Sequence, residues 1–185
     1  MTHDGDLLVR LGALAGERFE GEVFRATGAS ADPLTSSTNG GRWAPPARDG
    51  AGVSVLYASF ERDGAVAEVA SYLLALTPVP KSRPLKVSRL AVTASRVVRL
   101  ARADLEAIGV DMARYGERDY ARTQEIGAAL AFLGADGLVA PSARWPCDNL
   151  MLFSDNHPLS ERLEVVGTES VDWPAWAREQ GWLKD

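Results

Sequence analysis

Apolar and polar residues follow two periods along the chain, one typical of strands and one typical of helices. Residues 53–59 (VSVLYAS) are rich in β-branched and aromatic side chains and come after a glycine, which predicts a strand. Residues 65–76 (AVAEVASYLLAL) place their valines and leucines on one side of a helix, and Asp63 is its predicted N-cap. Further strands are predicted at residues 22–26, 85–92, 96–100, 137–140, 149–153 and 163–167, and further helices at residues 104–108, 118–133 and 173–180.

This order of elements favours an α+β fold. Strands and helices are mixed without regular βαβ alternation, so a doubly wound sheet is disfavoured. Neither a G-x-G-x-x-G sequence after a strand nor a P-loop pattern is present. The segment 28–52 is rich in Gly, Pro, Ser and Asn and is predicted to be a long loop, and loops of that length are often functional. The length of 185 residues fits one domain over residues 1–185.

Composition and charge narrow the classes of partner. The net charge of −5 argues against nucleic acid, because phosphate backbones are bound by clustered positive charge. The basic segment 81–102 alternates with apolar residues and is interpreted as strands with a solvated face. Cys147 is the only cysteine, and the N-terminal residues lack the order of a signal peptide, so a cytoplasmic protein is expected. No apolar run is long enough to span a bilayer, and His3 and His157 lack the spacing of metal ligands.

Three features of the first half stand apart from the core pattern. Asn39-Gly40-Gly41-Arg42-Trp43 combines a flexible backbone with a guanidinium that suits a pyrophosphate, although an ordinary turn with a surface arginine has the same composition. Tyr57 either stacks on a ligand or fills the core. Glu68 is the only carboxylate of its predicted helix, and it lies either on a narrow exposed face or in a pocket.

A fourth feature lies late in the chain, where Ser142 follows a predicted strand and Asn149 begins the next one. The serine can hold a ligand or a carboxylate, or simply bond its own loop backbone. It is not supported as a nucleophile, because neither histidine belongs to a recognisable triad.

Together and in this order, these segments resemble the RES domain, the toxin half of bacterial Xre–RES toxin–antitoxin pairs. The resemblance covers about residues 23–167. It rests on Phe24-Arg25, Gly40-Gly41-Arg42-Trp43, Val55-Leu56-Tyr57-Ala58-Ser59, Ala67-Glu68, Pro141-Ser142-Ala143-Arg144 and Asn149-Leu150-Met151-Leu152-Phe153. Ala44 stands where the family commonly has asparagine, and Trp145-Pro146-Cys147-Asp148 replaces its usual glycine-rich stretch.

The resemblance implies an ADP-ribosyltransferase-like fold, with a mixed β core and flanking helices, that takes NAD⁺ as a substrate and needs no separate cofactor or metal. It implies Glu68, Arg42 and Tyr57 as catalytic residues, and Arg25, Trp43, Ser142 and Asn149 as substrate-binding residues. Glu68 would stabilise the cationic transition state, Arg42 with Arg25 would hold the pyrophosphate, and Tyr57 would pack on the nicotinamide. Ser142 would fix either Glu68 or the ribose.

The same residues leave other functions open. Hydrolysis or phosphorolysis of NAD⁺ and transfer of ADP-ribose to an acceptor need the same pocket. A non-catalytic binding module would leave Glu68 in solvent and direct Arg42, Tyr57 and Glu68 to different sides. The resemblance also implies an Xre-type antitoxin as partner and is compatible with a homodimer within that complex.

Overall fold

A computed structural model describes residues 4–47 and 52–184 of the chain. Residues 1–3, which include His3, and residues 48–51 of the predicted long loop lie outside the described residues. The helices are α1 (Gly5–Gly12), α2 (Arg62–Leu74), α3 (Arg102–Ala107), α4 (Ala121–Phe132) and α5 (Trp173–Glu179). The strands are β1 (Glu17–Gly28), β2 (Val55–Ser59), β3 (Leu85–Arg99), β4 (Gly137–Pro141), β5 (Asp148–Phe153) and β6 (Leu163–Val171).

The strands close into a ring. Their order is β1-β2-β5-β4-β3-β6, and β1 also pairs with β3. The first five strands of this order therefore form a closed ring, and β6 pairs with β3 outside it. Only β3 and β4 pair in parallel, and the chain between them forms α3 and α4. This mixed β core with helices on its outside confirms the predicted α+β class.

Apolar side chains form one core inside the ring and two outside it. Alternate residues of β2 and β5, including Leu56, Ala58, Leu150 and Leu152, point into the ring. On the outer side, Met151 and Phe153 pack with α1, α3 and α4, and a further apolar cluster joins α2 to α5. Residues of β2 and β5 on the outer face therefore lie between the helices, where a site can form.

Several predicted boundaries were wrong because residues distant along the chain take part in them. Residues 85–92 and 96–99 belong to one strand, because the buried carboxylate of Asp136 accepts the backbone N–H groups of Ser95 and Arg96 at a bulge, with distances of 2.8 and 2.9 Å. The helix predicted from residue 65 begins at Arg62 with Glu61 as its N-cap. Asp63 is not the cap, and its Oδ1 accepts the indole N–H of Trp176 at 3.1 Å.

The short amphipathic helix α1 was not predicted. Its Leu7 and Leu11, four residues apart, are buried beside α4, and the side chain of Asp4 caps its first turn. Among the described residues, no helix combines the length and apolarity that crossing a membrane requires.

Candidate active site

A cavity of about 740 Å³ opens on the outer face of β2 and β5. This volume falls within the roughly 300–1,000 Å³ of small-molecule sites. Side chains reach it from β1, the loop after β1, β2, α2, the turn after β4, β5 and the segment that leads into α4. The candidate residues that line it are Arg25, Arg42, Trp43, Tyr57, Glu68 and Asn149.

Glu68 is half-buried on α2, and its carboxylate is held on one side only. The Ser142 hydroxyl and the Asn149 Nδ2 both donate to Oε1, at 2.8 and 2.9 Å. Within the described part of the chain, Oε2 has no hydrogen-bond partner. The carboxylate is therefore fixed through one oxygen and offers the other to the cavity, an arrangement that differs from a solvated surface glutamate.

Ser142 lies behind Glu68 rather than in the cavity wall. It is 4% exposed, and its hydroxyl contacts the carboxylate. Of the two roles considered for it, holding Glu68 is the one with a contact in the structure.

Arg42 is held between two tyrosines. Its Cζ lies 4.6 Å from the ring centroids of both Tyr115 and Tyr120, and its Nη2 donates to the Glu117 carbonyl oxygen at 3.2 Å. Cation–π contact with both rings restrains the guanidinium and leaves further N–H groups for a ligand. Burial lowers the pKa of Arg42 from its usual value, while the two tyrosines and Glu68 act to raise it.

Tyr57 projects from the outer face of β2 toward Gly41. Its hydroxyl accepts the backbone N–H of Trp43 at 3.4 Å, and burial raises its pKa to about 12. A Cβ on Gly41 would lie 2.6 Å from the Tyr57 hydroxyl oxygen, so this approach requires glycine at that position. The Trp43 side chain is only 3% exposed, and its contribution to the site is mainly this backbone contact.

Arg25 braces the wall beside Tyr57. Its guanidinium donates to the carbonyl oxygens of Tyr57, at 3.2 Å, and Thr35, at 2.8 Å. Burial lowers its pKa from the usual value, an effect that Asp32 opposes. Arg25 thus joins β1 to the start of the long loop and to the cavity floor.

The cavity carries positive charge in an acidic protein. Four arginines line it, namely Arg25, Arg42, Arg118 and Arg144, and Glu68 is the only carboxylate among the described residues that do so. Such a balance suits a ligand with more than one negative charge. No group of three or more potential metal ligands occurs among the described residues.

Comparison with known proteins agrees with this picture. The family model of the RES domain matches residues 22–176. The chain belongs to the RES domain family. The resemblance recognised in the sequence is confirmed, and the match extends nine residues beyond the predicted end at residue 167.

A solved structure shares the RES fold of this chain. It is described as the MbcT–MbcA toxin–antitoxin complex of M. tuberculosis, and the two chains superpose with a TM-score of 0.76 at 20% identity, over 95% of this chain and 97% of the other. At this identity the similarity establishes the fold alone. No curated protein matches the chain.

Sequence reasoning missed one wall of the RES cavity. Tyr120, Arg118 and Gln124 line it, and Tyr115 supports it through Arg42. These residues lie before or at the start of α4, far along the chain from Arg42, and no local spacing relates them. The side-chain amide of Gln124 also donates to the carbonyl oxygen of Gly41 at 2.8 Å, which is a second long-range contact between α4 and the loop after β1.

Proposed function

We propose that this RES protein is the toxin of a toxin–antitoxin pair and that it depletes NAD⁺ by cleaving the nicotinamide–ribose bond. The observation that carries the proposal is the Glu68 carboxylate, held through Oε1 and open through Oε2 to a cavity lined by arginines. Family membership and the shared fold with a toxin–antitoxin complex support the biological class.

The cleavage breaks the bond between ribose C1′ and the nicotinamide nitrogen. The electron pair leaves with nicotinamide, and positive charge develops on the ribose, where a nearby carboxylate lowers the barrier. Water then adds to C1′ and releases a proton, which gives ADP-ribose, or phosphate adds and gives its phosphate ester. Glu68 Oε2 is the group assigned to this charge and to orienting the attacking oxygen.

The remaining candidate residues position the dinucleotide. Arg42, restrained by its contacts with two tyrosine rings, is assigned to the pyrophosphate together with Arg25. Tyr57 is assigned to pack on the nicotinamide, and the backbone N–H of Trp43 holds its hydroxyl. Ser142 and Asn149 keep Glu68 in place, and Asn149 also contributes to the cavity wall.

A cytoplasmic toxin of this kind needs an inhibitor. We therefore propose an Xre-type antitoxin that covers the cavity entrance, in an assembly that can contain a toxin homodimer. A gene for such a protein beside this one, and loss of NAD⁺ consumption when the two proteins are mixed, are the expected observations.

The decisive experiment is NAD⁺ consumption by the purified chain and by Glu68→Gln. The amide keeps an oxygen for Ser142 and Asn149 but removes the charge, so the rate should fall by about 100-fold or more while the melting temperature changes little. Glu106→Gln, an exposed carboxylate of α3 outside the cavity wall, should keep the parental rate.

Labelled NAD⁺ separates the possible reactions. Free ADP-ribose, or its phosphate when phosphate is supplied, supports depletion, whereas label retained on protein indicates ADP-ribosyl transfer. If Glu68→Gln consumes NAD⁺ as fast as the parent, the assignment of Glu68 is wrong. If the parent consumes none, the proposed reaction is wrong.

A further inference from the structure

The turn between β4 and β5 dictates where the Ser142 proton points. The Ser142 Oγ accepts the backbone N–H groups of Arg144 and Trp145, at 3.1 and 3.2 Å, and donates to Glu68 at 2.8 Å. A hydroxyl has one proton and two lone pairs, so these contacts use its full capacity. Because both lone pairs are occupied by the turn, the proton is directed to the carboxylate.

The side chain of Trp145 anchors that turn in an aromatic cluster of Trp145, Trp176 and Trp182. The Trp145 ring centroid lies 5.6 Å from that of Trp176 and 6.4 Å from that of Trp182, and the latter two are 5.3 Å apart. Trp182 lies beyond the segment that the RES family model matches. The cluster thus joins the turn to α5 and to the residues that follow it.

The cluster is also bound to the start of α2. The indole N–H of Trp145 donates to Glu61 at 3.1 Å, and that of Trp176 donates to Asp63 at 3.1 Å. Glu68 follows Glu61 by two helical turns on the same helix. Trp145 therefore connects the element that carries the Ser142 hydroxyl to the element that carries the carboxylate it contacts.

We propose that Trp145 is a positioning residue, which acts through Ser142 to hold Glu68 in its working orientation, with Trp176 and Trp182 supporting it. The inference rests on the proposed function of Glu68. Trp145 does not line the cavity, so its replacement should lower kcat more than it weakens substrate binding.

The first test compares kcat and KM for NAD⁺ in the parent, Trp145→Ala and Trp145→Phe. Alanine releases the turn, and kcat should fall by about tenfold or more, as for loss of a hydrogen bond to a charged group. KM should change much less than kcat, because Arg25, Arg42 and Arg118 are untouched and only Arg144 of the four cavity arginines lies in this turn. Phenylalanine keeps the ring contact with Trp176 and should restore most of kcat. A parental kcat in Trp145→Ala overturns the proposal.

A double-mutant cycle then asks whether Trp145 acts through Ser142. In a Ser142→Ala background, Trp145→Ala should lower kcat little further, since the hydroxyl it orients is already absent. Additive losses would mean that Trp145 is merely structural and would overturn the proposal. Trp173→Phe is the matched control. Trp173 is buried in α5, the helix of Trp176, but is not one of the three tryptophans of the aromatic cluster, so the variant should lower the melting temperature without changing kcat.

A structural measurement keeps this inference separate from the proposed reaction. If the parent consumes no NAD⁺, the reaction fails, and the crystal structure of Trp145→Ala decides the positioning role. A Ser142 Oγ to Glu68 Oε1 separation beyond hydrogen-bond distance supports it, and retention of the 2.8 Å contact overturns it.

Discussion

At the scale of single residues, the site keeps one buried polar atom without a partner. The Asn149 Oδ1 is buried and has no hydrogen bond among the described residues, while its Nδ2 donates to Glu68. Rotating the amide would place an oxygen against the carboxylate, which only accepts hydrogen bonds. A buried unpaired acceptor costs about 1–3 kcal/mol, so Asn149 holds Glu68 at the expense of stability.

Gly41→Ala should impair the site without unfolding the protein. The new Cβ would lie 2.6 Å from the Tyr57 hydroxyl oxygen, and the buried ring has to shift in the cavity wall. We expect kcat/KM for NAD⁺ to fall by about tenfold, the loss expected for misplacing one hydrogen-bonded group. Gly28→Ala is the control, because its Cβ would meet nothing within 4 Å, and equal rates in both variants would contradict the prediction.

Arg42→Lys should show that a planar cation is required. An ammonium keeps the charge but lacks the planar fork that binds a pyrophosphate through two parallel N–H groups, and it loses the guanidinium contacts with Tyr115 and Tyr120. KM for NAD⁺ should rise by about tenfold or more. Arg114→Lys, an exposed arginine paired with Glu117, should leave KM unchanged. The prediction fails if the two lysine variants have the same KM.

The sequence could single out Arg42, Tyr57 and Glu68 as candidates because each combines an unusual residue type with a local pattern that resembles the RES family, and the structure places all three at one cavity. It could not identify Tyr115 or Tyr120 as the residues that hold Arg42. In the sequence, neither tyrosine differs from an aromatic residue of a core or a loop. Their contact with Arg42 exists only after α4 packs against the loop that follows β1.

At the scale of elements, periodicity located the six strands and four of the five helices that the structure describes, but not their ends. The predicted break within residues 93–95 of β3 reflects a real irregularity, since a bulge occurs there, but Asp136 satisfies its backbone N–H groups and the strand continues. That carboxylate lies 40 residues further along the chain, so no local rule could have supplied it.

Substitution by alanine is expected to have opposite effects at Gly127, where α4 packs against the loop after β1, and at Gly5 in α1. A Cβ on Gly127 would lie 1.8 Å from the Trp43 carbonyl oxygen, so Gly127→Ala should lower the free energy of unfolding by about 3 kcal/mol or more. At Gly5 in α1 nothing lies within 4 Å, and Gly5→Ala should raise that free energy by up to about 1 kcal/mol through helix propensity. Urea denaturation measures both, and effects of the same sign would contradict this account of the helix contact.

At the scale of the whole molecule, the ring of strands is the feature that sequence could not predict. The long-range pairing of β1 with β3 and the ladder pair of Phe24 in β1 with Ser59 in β2 close it. The closure follows from twist and register summed over five strands, and neither quantity appears in any one segment.

Burial of two tyrosines makes folding sensitive to high pH. Burial raises the pKa of both Tyr57 and Tyr115 from 10.0 to about 12. Unfolded tyrosine releases its proton near pH 10 and the folded side chains keep theirs to about pH 12, so the unfolded state binds fewer protons in that window. Stability from these groups is complete below pH 10 and should then fall by about 1.4 kcal/mol per pH unit for each tyrosine.

Urea unfolding between pH 9 and pH 12 provides the measurement. Tyr115→Phe removes one of the two groups, so its stability should decline with a slope smaller than that of the parent by about 1.4 kcal/mol per pH unit. The variant also loses the 2.7 Å hydrogen bond from the hydroxyl to the Pro141 carbonyl oxygen, which lowers stability at every pH without changing the slope. Parallel curves for the two proteins would contradict the assignment.

The pairing of β4 with β5 also restricts how such chains can vary in length. Ala140 is opposite Asn149 in the ladder, and neighbouring side chains of a strand point to opposite faces. Loss of one residue in the turn between them would rotate Asn149 away from Glu68 and bring Leu150 opposite Ala140, whereas gain of one residue would bring Asp148 there. Insertions and deletions should be excluded from this turn, which also carries Ser142 and Trp145, and confined to segments such as the loop after β1. Across a lineage of these proteins, the spacing from Ser142 to Asn149 is therefore expected to remain constant to the residue.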